Sequence, residues 1–384
     1  MRLGLIFQDI KNWQGGFNYY CSLITSLKYL NVNEDFNYTI FTNKKKSIFL
    51  EKKLKIKKEN VYSSSIFSNI SLLKFFSKFL EYIFRRDIIL DYFFKKNKVS
   101  IITHFCKKNS YYKIVPWIPD LQHKHLKENF SEFEIKKRDR IINLYLKSSR
   151  DVIVSSNDTK KSLNFFFDVK KNDIHILNFV PQVDFNDICG FKEIQSKYNI
   201  PKKYIYIPNQ FWVHKNHEVV IRSAFELKKK NFFFKFILSG NPKDHRNINH
   251  FNDIKKLINS LGVIDYFEYL GQVSRKDLLN LIYHAQIIIN PSKFEGWSTT
   301  VEEAKILNKR LLLSNIPVHN EQINNENCVV FSTNDEHDLA TKIVKILNQN
   351  FSSLDLDCLL KNYITNRKKF AHQYLNILKE ISLK

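Results

Sequence analysis

Short apolar runs alternate with longer amphipathic stretches from one end of this chain to the other. Such alternation predicts parallel strands covered by helices, because parallel neighbours need a crossover connection between them. In the first half the expected strands are 2–7, 38–42, 99–103, 113–116 and 152–155. In the second half they are 204–208, 233–239, 266–270, 286–290, 310–314 and 328–331. The sequence therefore predicts an α/β fold with doubly wound parallel sheets.

The length of the chain predicts two domains, since 384 residues exceed what one ordinary core accommodates. Proline and glycine breakers indicate a linker at 184–200, between Rossmann-like domains at 1–183 and 201–363. Two such domains facing each other leave a cleft at the carboxyl ends of their strands, where open α/β sheets bind ligands. The tail at 364–384 is expected to form a helix that can cross back to the first domain.

The formal net charge of +23 has three open explanations: biased codon usage, an anionic membrane surface or nucleic acid. The basic residues are spread along the chain, without a zinc-finger, RRM-like or helix-turn-helix signature. Nucleic acid is therefore the least favoured partner.

Cysteine usage and hydropathy predict a cytoplasmic protein. The five cysteines include no CxxC pair, which suits a reducing compartment and offers no metal site. The amino terminus lacks the features of a signal peptide, and no apolar stretch approaches the ~18 residues that span a bilayer.

The segment FEGWSTTVEEA, which follows an apolar strand and opens a helix, carries the strongest chemical signal. Its polar run at 298–300 supplies backbone N–H groups at a helix start, where unpaired amides and the helix dipole favour a phosphate. Glu303, about one turn into the helix, can reach a ribose diol, and Glu295, in the loop before it, can bind sugar hydroxyls. The alternative is a simple capping box, in which the serine or the first threonine pairs with Glu302.

This segment resembles the hallmark of the retaining glycosyltransferases of family 4, the group 1 transferases with the GT-B fold. That hallmark is a Glu, seven residues and a second Glu across a strand, a loop and a helix, and Glu295 and Glu303 match it. The family usually has Gly, Leu and Pro where this chain has Ser298, Thr299 and Thr300, although a mannosyltransferase-like subset carries WSTTVEE. The resemblance implies that these three residues bind the donor diphosphate. It also implies that Glu303 binds the donor ribose and that Glu295 takes part in catalysis at the sugar.

A second segment, PNQFWVHKNH, follows the first strand of the second half. The family usually places an Arg and, five residues later, a Lys here, both directed at the donor diphosphate. Lys215 matches the Lys and Gln210 stands at the position of the Arg. The resemblance implies that both bind the donor and that Lys215 offsets charge on the leaving phosphate, unless it is a solvated lysine. His214 or His217 is a candidate for the missing positive charge or for a hydrogen bond; the alternative is an ordinary core or surface histidine.

Three weaker matches complete the predicted site. The segment PWIPDLQHKHLKENFSEFE places His123 where the family has a histidine that faces the sugar; the alternative is an ordinary surface histidine. Gly16 allows a close approach of backbone to the diphosphate, although a glycine after a strand is often only part of a turn. Val273, in GQV, falls where the family's backbone meets the nucleobase.

An apolar stripe with basic neighbours lies in the first half of the chain. Its apolar members are Leu72, Leu73, Phe76, Phe79, Leu80, Ile83 and Phe84, and its basic neighbours are Lys74, Lys78, Arg85 and Arg86. One interpretation is an interfacial helix that docks on anionic lipid. The interpretation we favour from the sequence is a helix packed on the sheet of the first domain.

The resemblance, which covers nearly the whole chain, implies a retaining hexosyltransferase without a metal ion or another cofactor, and the lack of an Asp-x-Asp motif agrees. We expect GDP-mannose as the donor, with UDP- and dTDP-sugars still open. The first domain would bind a glycan or lipid-linked acceptor in surface polysaccharide synthesis, in the cytoplasm or peripherally at the inner face of a membrane. Two alternatives remain, a GT-B epimerase of a UDP-sugar and a basic membrane-surface scaffold without catalysis.

Overall fold

The computed structural model describes residues 1–7, 14–30, 36–68, 70–107, 112–323 and 327–383. Contacts between residues divide the chain into two compact units. The first unit comprises Met1–Leu121, Glu132–Gln182 and Thr365–Lys384, and the second comprises Gln122–Ser131 and Val183–Ile364. Each unit is therefore assembled from stretches that are not contiguous in the sequence.

Parallel sheets form the centre of the first unit. One sheet contains β1 (Arg2–Ile6), β2 (Asn37–Thr42), β3 (Val61–Ser63), β4 (Ile101–Thr103) and β5 (Lys113–Val115), in the order β3-β2-β1-β4-β5. The other contains β6 (Trp117–Ile118), β7 (Asp151–Val154) and β8 (Asp173–Ile176), in that order. Strand β1 lies between β2 and β4, with Leu5 opposite Ile40 and Thr103. Strands β3, β6 and β8 were not predicted from the sequence.

Helices alternate with the strands along the described chain. In the first half they are α1 (Gln14–Ser26), α2 (Lys44–Lys52), α3 (Leu72–Phe84), α4 (Ile88–Lys96), α5 (Gln122–His125), α6 (Glu132–Ser148) and α7 (Asn157–Phe166). In the second half they are α8 (Phe191–Tyr198), α9 (His217–Lys229), α10 (His250–Ser260), α11 (Arg275–His284), α12 (Thr299–Ile306), α13 (Pro317–Gln322), α14 (Glu336–Leu347) and α15 (Leu356–Leu383). The predicted α/β class is confirmed.

The second unit is built on a parallel sheet whose strand order reverses in the middle. Its strands are β9 (Ile205–Ile207), β10 (Phe236–Leu238), β11 (Phe267–Tyr269), β12 (Ile287–Asn290), β13 (Leu311–Ser314) and β14 (Cys328–Phe331), in the order β11-β10-β9-β12-β13-β14. The central strands β9, β10 and β12 are fully buried, as expected for parallel strands covered on both faces. The order reverses between β9 and β12, and ligands of open α/β sheets bind beyond the carboxyl ends of strands at such a point.

The linker expected at 184–200 is instead folded as part of the second unit. Its helix α8 packs on α11. At this contact Lys197 Nζ and Tyr198 Oη lie 2.7 and 2.9 Å from Asp277 Oδ2. Apolar contacts add to this packing, since Ile194 of α8 is buried and the ring of Phe191 lies 5.5 Å from that of His284 on α11.

The last helix begins earlier than the expected 364–384, at Leu356. Beyond its first turns it belongs to the first unit. There Arg367, which is buried, donates hydrogen bonds to Ser22 O at 2.7 Å and to Thr25 Oγ1 at 2.6 Å.

Helix α3 differs from the prediction that we favoured from the sequence. One side is turned inward: Ser77 is buried, and its hydroxyl donates to Asp87 Oδ1 at 2.7 Å. The other side is apolar and exposed, and its large exposed side chains are Leu72, Phe75, Phe76, Phe79, Tyr82 and Ile83. Packing on the sheet therefore does not account for this face. The spacing in the sequence indicated an apolar face but not whether that face is covered.

Candidate active site

The two segments with the strongest chemical signals follow neighbouring strands of the second unit. Strands β9 and β12 are parallel neighbours, with Tyr206 opposite Ile288. The loop 208–216 follows β9, and the loop 291–298 follows β12. Because the strand order reverses here, such loops diverge and leave a crevice for a ligand.

An ion pair joins these two loops. Lys215 Nζ lies 2.5 Å from Glu295 Oε1. The exposed fraction of the side chain is only 14% for Lys215 and 11% for Glu295. Ser292 donates its hydroxyl hydrogen to the same carboxylate oxygen at 2.7 Å. Burial alone would raise the pKa of Glu295, but Lys215, His319 and these hydrogen bonds hold it below its ordinary value. Glu295 is therefore an ionised acceptor, and the alternative of a solvated Lys215 is wrong.

A buried imidazole completes this cluster. His319 lies with Nδ1 3.0 Å from Ser314 O, at the end of β13. Its Nε2 is buried and has no hydrogen-bond partner among the described residues. Burial lowers the pKa of His319 to about 4, although the charge of Glu295 acts in the opposite direction. His319 is thus a neutral residue beside Glu295 and Lys215, which the sequence analysis did not single out.

The two histidines considered as extra cations are neutral. Burial, together with the neighbouring Lys215, lowers the pKa of His214 well below its ordinary value and that of His217 to about 3. The expectation of a positive charge on either is therefore wrong. A cation does lie beside His214: Arg246 Nη2 is 3.4 Å from His214 Nδ1, and Arg246 Nε is 3.0 Å from Asp244 Oδ1.

Arg246 also holds the segment that contains the predicted catalytic histidine. Its guanidinium lies over the rings of Trp212 and Phe130, 5.3 and 5.6 Å from their centroids. It donates to Gln122 Oε1 at 3.2 Å. The segment Gln122–Ser131 accordingly belongs to the second unit, whereas the sequence placed it in a domain at 1–183.

His123 is buried rather than on the surface. It is 1% exposed, so the alternative of an ordinary surface histidine is wrong. Its ring centroid lies 6.4 Å from that of Phe130. The neighbouring His125 packs its ring 5.4 Å from that of Phe294, which directly precedes Glu295. Helix α5 thus lies against the loop that carries Glu295.

The residue at the N-cap position of α12 does not cap it. Ser298 Oγ instead accepts a hydrogen bond from Asn290 Nδ2 at 2.7 Å. Gln322 Nε2 donates to Ser298 O at 3.0 Å and to Glu302 Oε1 at 2.9 Å. The capping-box interpretation is therefore wrong, because a glutamine from α13 binds the residues that the box would have paired.

The first turn of α12 consequently has no side-chain cap within the described chain. Thr299 and Thr300, which begin the helix, are half-buried. The amide groups of a first turn have no partner within the helix itself. Together with the helix dipole, they make this end suited to an anion.

Glu303 pairs with an arginine that the sequence analysis did not identify. Arg275 Nη1, at the start of α11, lies 2.5 Å from Glu303 Oε1, and the glutamate side chain is only 3% exposed. Burial raises the pKa of Glu303, against the opposing charge and hydrogen bond of Arg275. Arg275 stands two residues after Val273, so the pair links the predicted ribose and nucleobase positions.

Gln210 has a structural partner in this unit. Its Oε1 accepts a hydrogen bond from Asn241 N at 2.7 Å, which ties the loop after β9 to the loop after β10. Between these loops Gly240 has φ +149°, and a Cβ there would lie 2.3 Å from Asn209 O. Only glycine allows this close approach.

The remaining predicted donor residues lie in ordinary backbone. Val273 is half-buried and follows Gly271, whose carbonyl accepts from Gly240 N at 2.9 Å. Gly16 is buried in the first turn of α1, in the first unit. Among the described residues no group of three His, Cys, Asp or Glu side chains is placed to hold a metal ion.

Residues 190–369 match the model of a protein family described as glycosyl transferases group 1. No curated protein matches the sequence. Among solved structures, the chain is similar to sucrose-phosphate synthase from Thermosynechococcus elongatus, with 14% identity, a TM-score of 0.66 and coverage of 99% of this chain and 98% of that one. It is also similar to a glycosyltransferase from Rickettsia africae, with 19% identity, a TM-score of 0.63 and coverage of 100% and 97%. HepE of Anabaena in complex with UDP-glucose gives 12% identity, a TM-score of 0.67 and full coverage of both chains.

These structural likenesses show the GT-B fold, with two Rossmann-like domains, which confirms the predicted fold class. The protein is a glycosyltransferase, as predicted. More narrowly, the residues that match the group 1 glycosyltransferase model, 190–369, include Lys215, Glu295 and Glu303.

Proposed function

We propose that the protein is a retaining transferase of family 4 that moves a hexose from a nucleoside-diphosphate sugar to a hydroxyl of a glycan or lipid-linked acceptor. The observation that carries this proposal is the buried Lys215–Glu295 pair, three residues before the uncapped start of α12 at Ser298. Cation, ionised carboxylate and helix amino terminus all lie where the sheet order reverses, which is where α/β sheets bind nucleotides.

The donor diphosphate binds the first turn of α12 in this proposal. The N–H groups around Ser298, Thr299 and Thr300 face its oxygens, and Lys215 offsets the charge that grows on the leaving phosphate. Both supply positive potential without a metal ion, and the proposal includes none. Gln210 positions the neighbouring loop through Asn241, while Gly16 and Val273 approach the donor through their backbone.

Carboxylates and one histidine orient the remaining groups. Glu295, ionised beside Lys215, accepts hydrogen bonds from sugar hydroxyls. Glu303 accepts from the ribose diol with the carboxylate oxygen that Arg275 leaves available. His123, buried in α5, orients the acceptor hydroxyl.

The chemical step is a substitution at the anomeric carbon. The bond from this carbon to the phosphate oxygen breaks, and the nucleoside diphosphate leaves with the bonding electrons. The acceptor oxygen forms the new bond on the same face of the sugar, and its proton passes to the departing phosphate oxygen. Lys215 stabilises the developing charge, so it acts mainly in the transition state.

For the donor we propose GDP-mannose, because HKNH and EGWSTTVEE resemble the mannosyltransferase-like members of the family. A UDP-sugar is the second candidate, since HepE of Anabaena, which has a similar structure, was solved in complex with UDP-glucose. We place the enzyme in surface polysaccharide synthesis, in the cytoplasm and at the inner face of a membrane, where a lipid-linked acceptor would be found.

Thermal shift with a panel of GDP-, UDP- and dTDP-sugars tests donor binding, because a true ligand raises the unfolding midpoint by mass action. With the donor so found, Lys215→Ala is expected to lower turnover about 100-fold. Lys293→Ala, in the neighbouring loop after β12 and exposed, is the matched control and should change turnover little. His123→Ala should lower turnover and leave donor affinity unchanged.

The outcomes separate the proposed function from its alternatives. Nucleoside diphosphate released only in the presence of acceptor supports transfer, whereas conversion of the sugar nucleotide without acceptor identifies an epimerase. A chain that binds none of the sugar nucleotides in calorimetry would be a scaffold. Full turnover in Lys215→Ala would contradict the electrostatic role of this lysine.

A further inference from the structure

The exposed face of α3 is an unusual surface for a folded domain. Its members, named with the fold above, are 53–90% exposed. They follow one another at helical spacing from Leu72 through Phe76 and Phe79 to Ile83, so they form a single stripe. Contiguous apolar surface of this kind marks an interaction site in a soluble domain. No helix within the described residues has both the length and the apolar character needed to pass through a bilayer.

Positive charge borders this stripe. Lys78 on α3 and Arg85 directly after this helix are exposed, as are Lys95 and Lys96 at the end of α4.

The neighbouring acidic groups are paired with cations. Glu81 lies 3.1 Å from Lys107, which also contacts Asp87, and Asp91 lies 2.6 Å from Arg86. The border of the stripe therefore carries exposed cations, while each of these three carboxylates contacts a cation of its own unit.

We propose that α3 docks this enzyme on an anionic lipid surface. Phe75, Phe76 and Phe79 enter the boundary between headgroups and acyl chains, while Lys78 and Arg85 remain among the anionic headgroups. A helix with an aromatic apolar face and basic flanks is the form that binds in the plane of a bilayer surface. This inference rests on the proposed function in one respect only: docking would bring the enzyme to a lipid-linked acceptor.

The charges argue against a second copy of this chain as the occupant. In a twofold dimer the same patch lies on both partners, so Lys78 and Arg85 of one copy would approach the same residues of the other. Of the described carboxylates at this border, Glu81, Asp87 and Asp91 each already contact a cation, so the approach of like charges in such a dimer would be unfavourable. An anionic bilayer supplies both the apolar layer and the compensating charge.

Flotation of the full-length chain with vesicles tests the proposal. One set contains phosphatidylcholine alone, and the other contains about a third phosphatidylglycerol. We expect binding to the anionic vesicles only. Binding should weaken at high salt, because screening reduces the range and strength of the electrostatic attraction. Phe75→Ser/Phe79→Ser should lower the partition coefficient about tenfold or more.

Matched controls lie on the same unit. Phe133→Ser/Phe165→Ser changes two phenylalanines that are 75% and 82% exposed on α6 and α7, and it should leave vesicle binding unchanged. Lys78→Glu should weaken binding, whereas Lys161→Glu, exposed on α7, should have a smaller effect. The melting midpoint and the affinity for nucleoside diphosphate should be the same in all of these variants.

Equal binding of the wild-type chain and Phe75→Ser/Phe79→Ser would overturn the proposal, and so would no binding to anionic vesicles. A concentration-dependent dimer that this double variant converts to a monomer would assign the face to a second copy instead. Because nucleoside-diphosphate affinity is measured separately, failure of docking is distinguished from failure of the proposed transfer activity.

Discussion

The carboxylate of Glu303 is held by Arg275 in an interior from which water is largely excluded. A buried ion pair of this kind contributes little to stability, since the loss of hydration offsets the attraction. Because burial raises the pKa of Glu303, the folded chain retains this proton at pH values where the unfolded chain has lost it. The free energy of unfolding therefore falls as pH rises from the ordinary value of the group through its raised pKa. At pH values above this range Glu303 reduces the free energy of unfolding, which points to a functional reason for its presence.

Glu303→Gln is therefore expected to leave the melting midpoint unchanged or higher at pH 7, while nucleotide affinity falls about tenfold or more. The control is Glu302→Gln, one position away. Glu302 is also buried, but it contacts Gln322 and Lys305, so nucleotide affinity should stay the same. Thermal unfolding and calorimetric titration measure the two effects. Unchanged nucleotide affinity in Glu303→Gln would contradict the ribose assignment.

Residues of the candidate site could be predicted from the sequence where the segment that contains them has a recognisable spacing of residues. Lys215, Glu295 and Glu303 lie in strand–loop–helix segments with a fixed spacing, and the structure brings Lys215 and Glu295 into contact. Arg275 and Arg246 were not predictable, because each becomes relevant only through a partner that is remote in the sequence or through tertiary packing. Their roles, like those of the predicted residues, stay proposals until variants are measured.

Among the loops and helices, the contact between the loops after β9 and β10 depends on one glycine. Gly240→Ala combines an unfavourable φ with a Cβ that would lie 2.3 Å from Asn209 O, so a loss of about 3 kcal/mol in unfolding free energy is expected. The shift of backbone should also break the Gln210–Asn241 hydrogen bond and weaken donor binding.

Gly190→Ala is the control for this glycine, since a Cβ at Gly190 would have no atom of the described residues within 4 Å. Its φ of −65° suits alanine, so the change should stay within about 1 kcal/mol. Denaturant titration measures both variants. Equal stabilities would show that the backbone after β10 relaxes freely.

Prediction of the helices and strands succeeded where periodicity was decisive. The apolar runs that became β9, β10 and β12 sit at the centre of the sheet, as their composition indicated. The sequence indicated that α3 is amphipathic. The spacing of apolar residues does not reveal, however, whether other parts of the protein cover the apolar face or leave it exposed to water or lipid. The start of α12 was also predicted, whereas its missing cap depends on Gln322 from α13, which local sequence does not foretell.

At the scale of the whole molecule, α15 makes the first unit depend on the end of the chain. Arg367→Ala removes buried hydrogen bonds to Ser22 and Thr25, and it should lower the unfolding free energy of that unit by about 3 kcal/mol. Lys368→Ala, exposed on the same helix, should change it by less than about 0.5 kcal/mol. Scanning calorimetry with and without donor distinguishes the units, because donor should still stabilise the second one. Equal melting of both variants would contradict this role of Arg367.

The division of the chain into two α/β halves was predictable from length and alternation, but its boundaries were not. Segment 122–131 belongs to the second unit because Arg246 holds it, and 184–200 is no linker because α8 packs on α11. Both assignments rest on contacts between segments that are far apart in sequence, and no local pattern reports them.

Since residues 365–384 complete the first unit, its core cannot close while the ribosome is still making the remainder of the polypeptide. Ser22 and Thr25 on α1, which accept hydrogen bonds from Arg367 of α15, must wait for this partner through the synthesis of the entire second unit. The half of the enzyme that is translated first is thus the half that is completed last, and apolar surface exposed during such a delay favours aggregation.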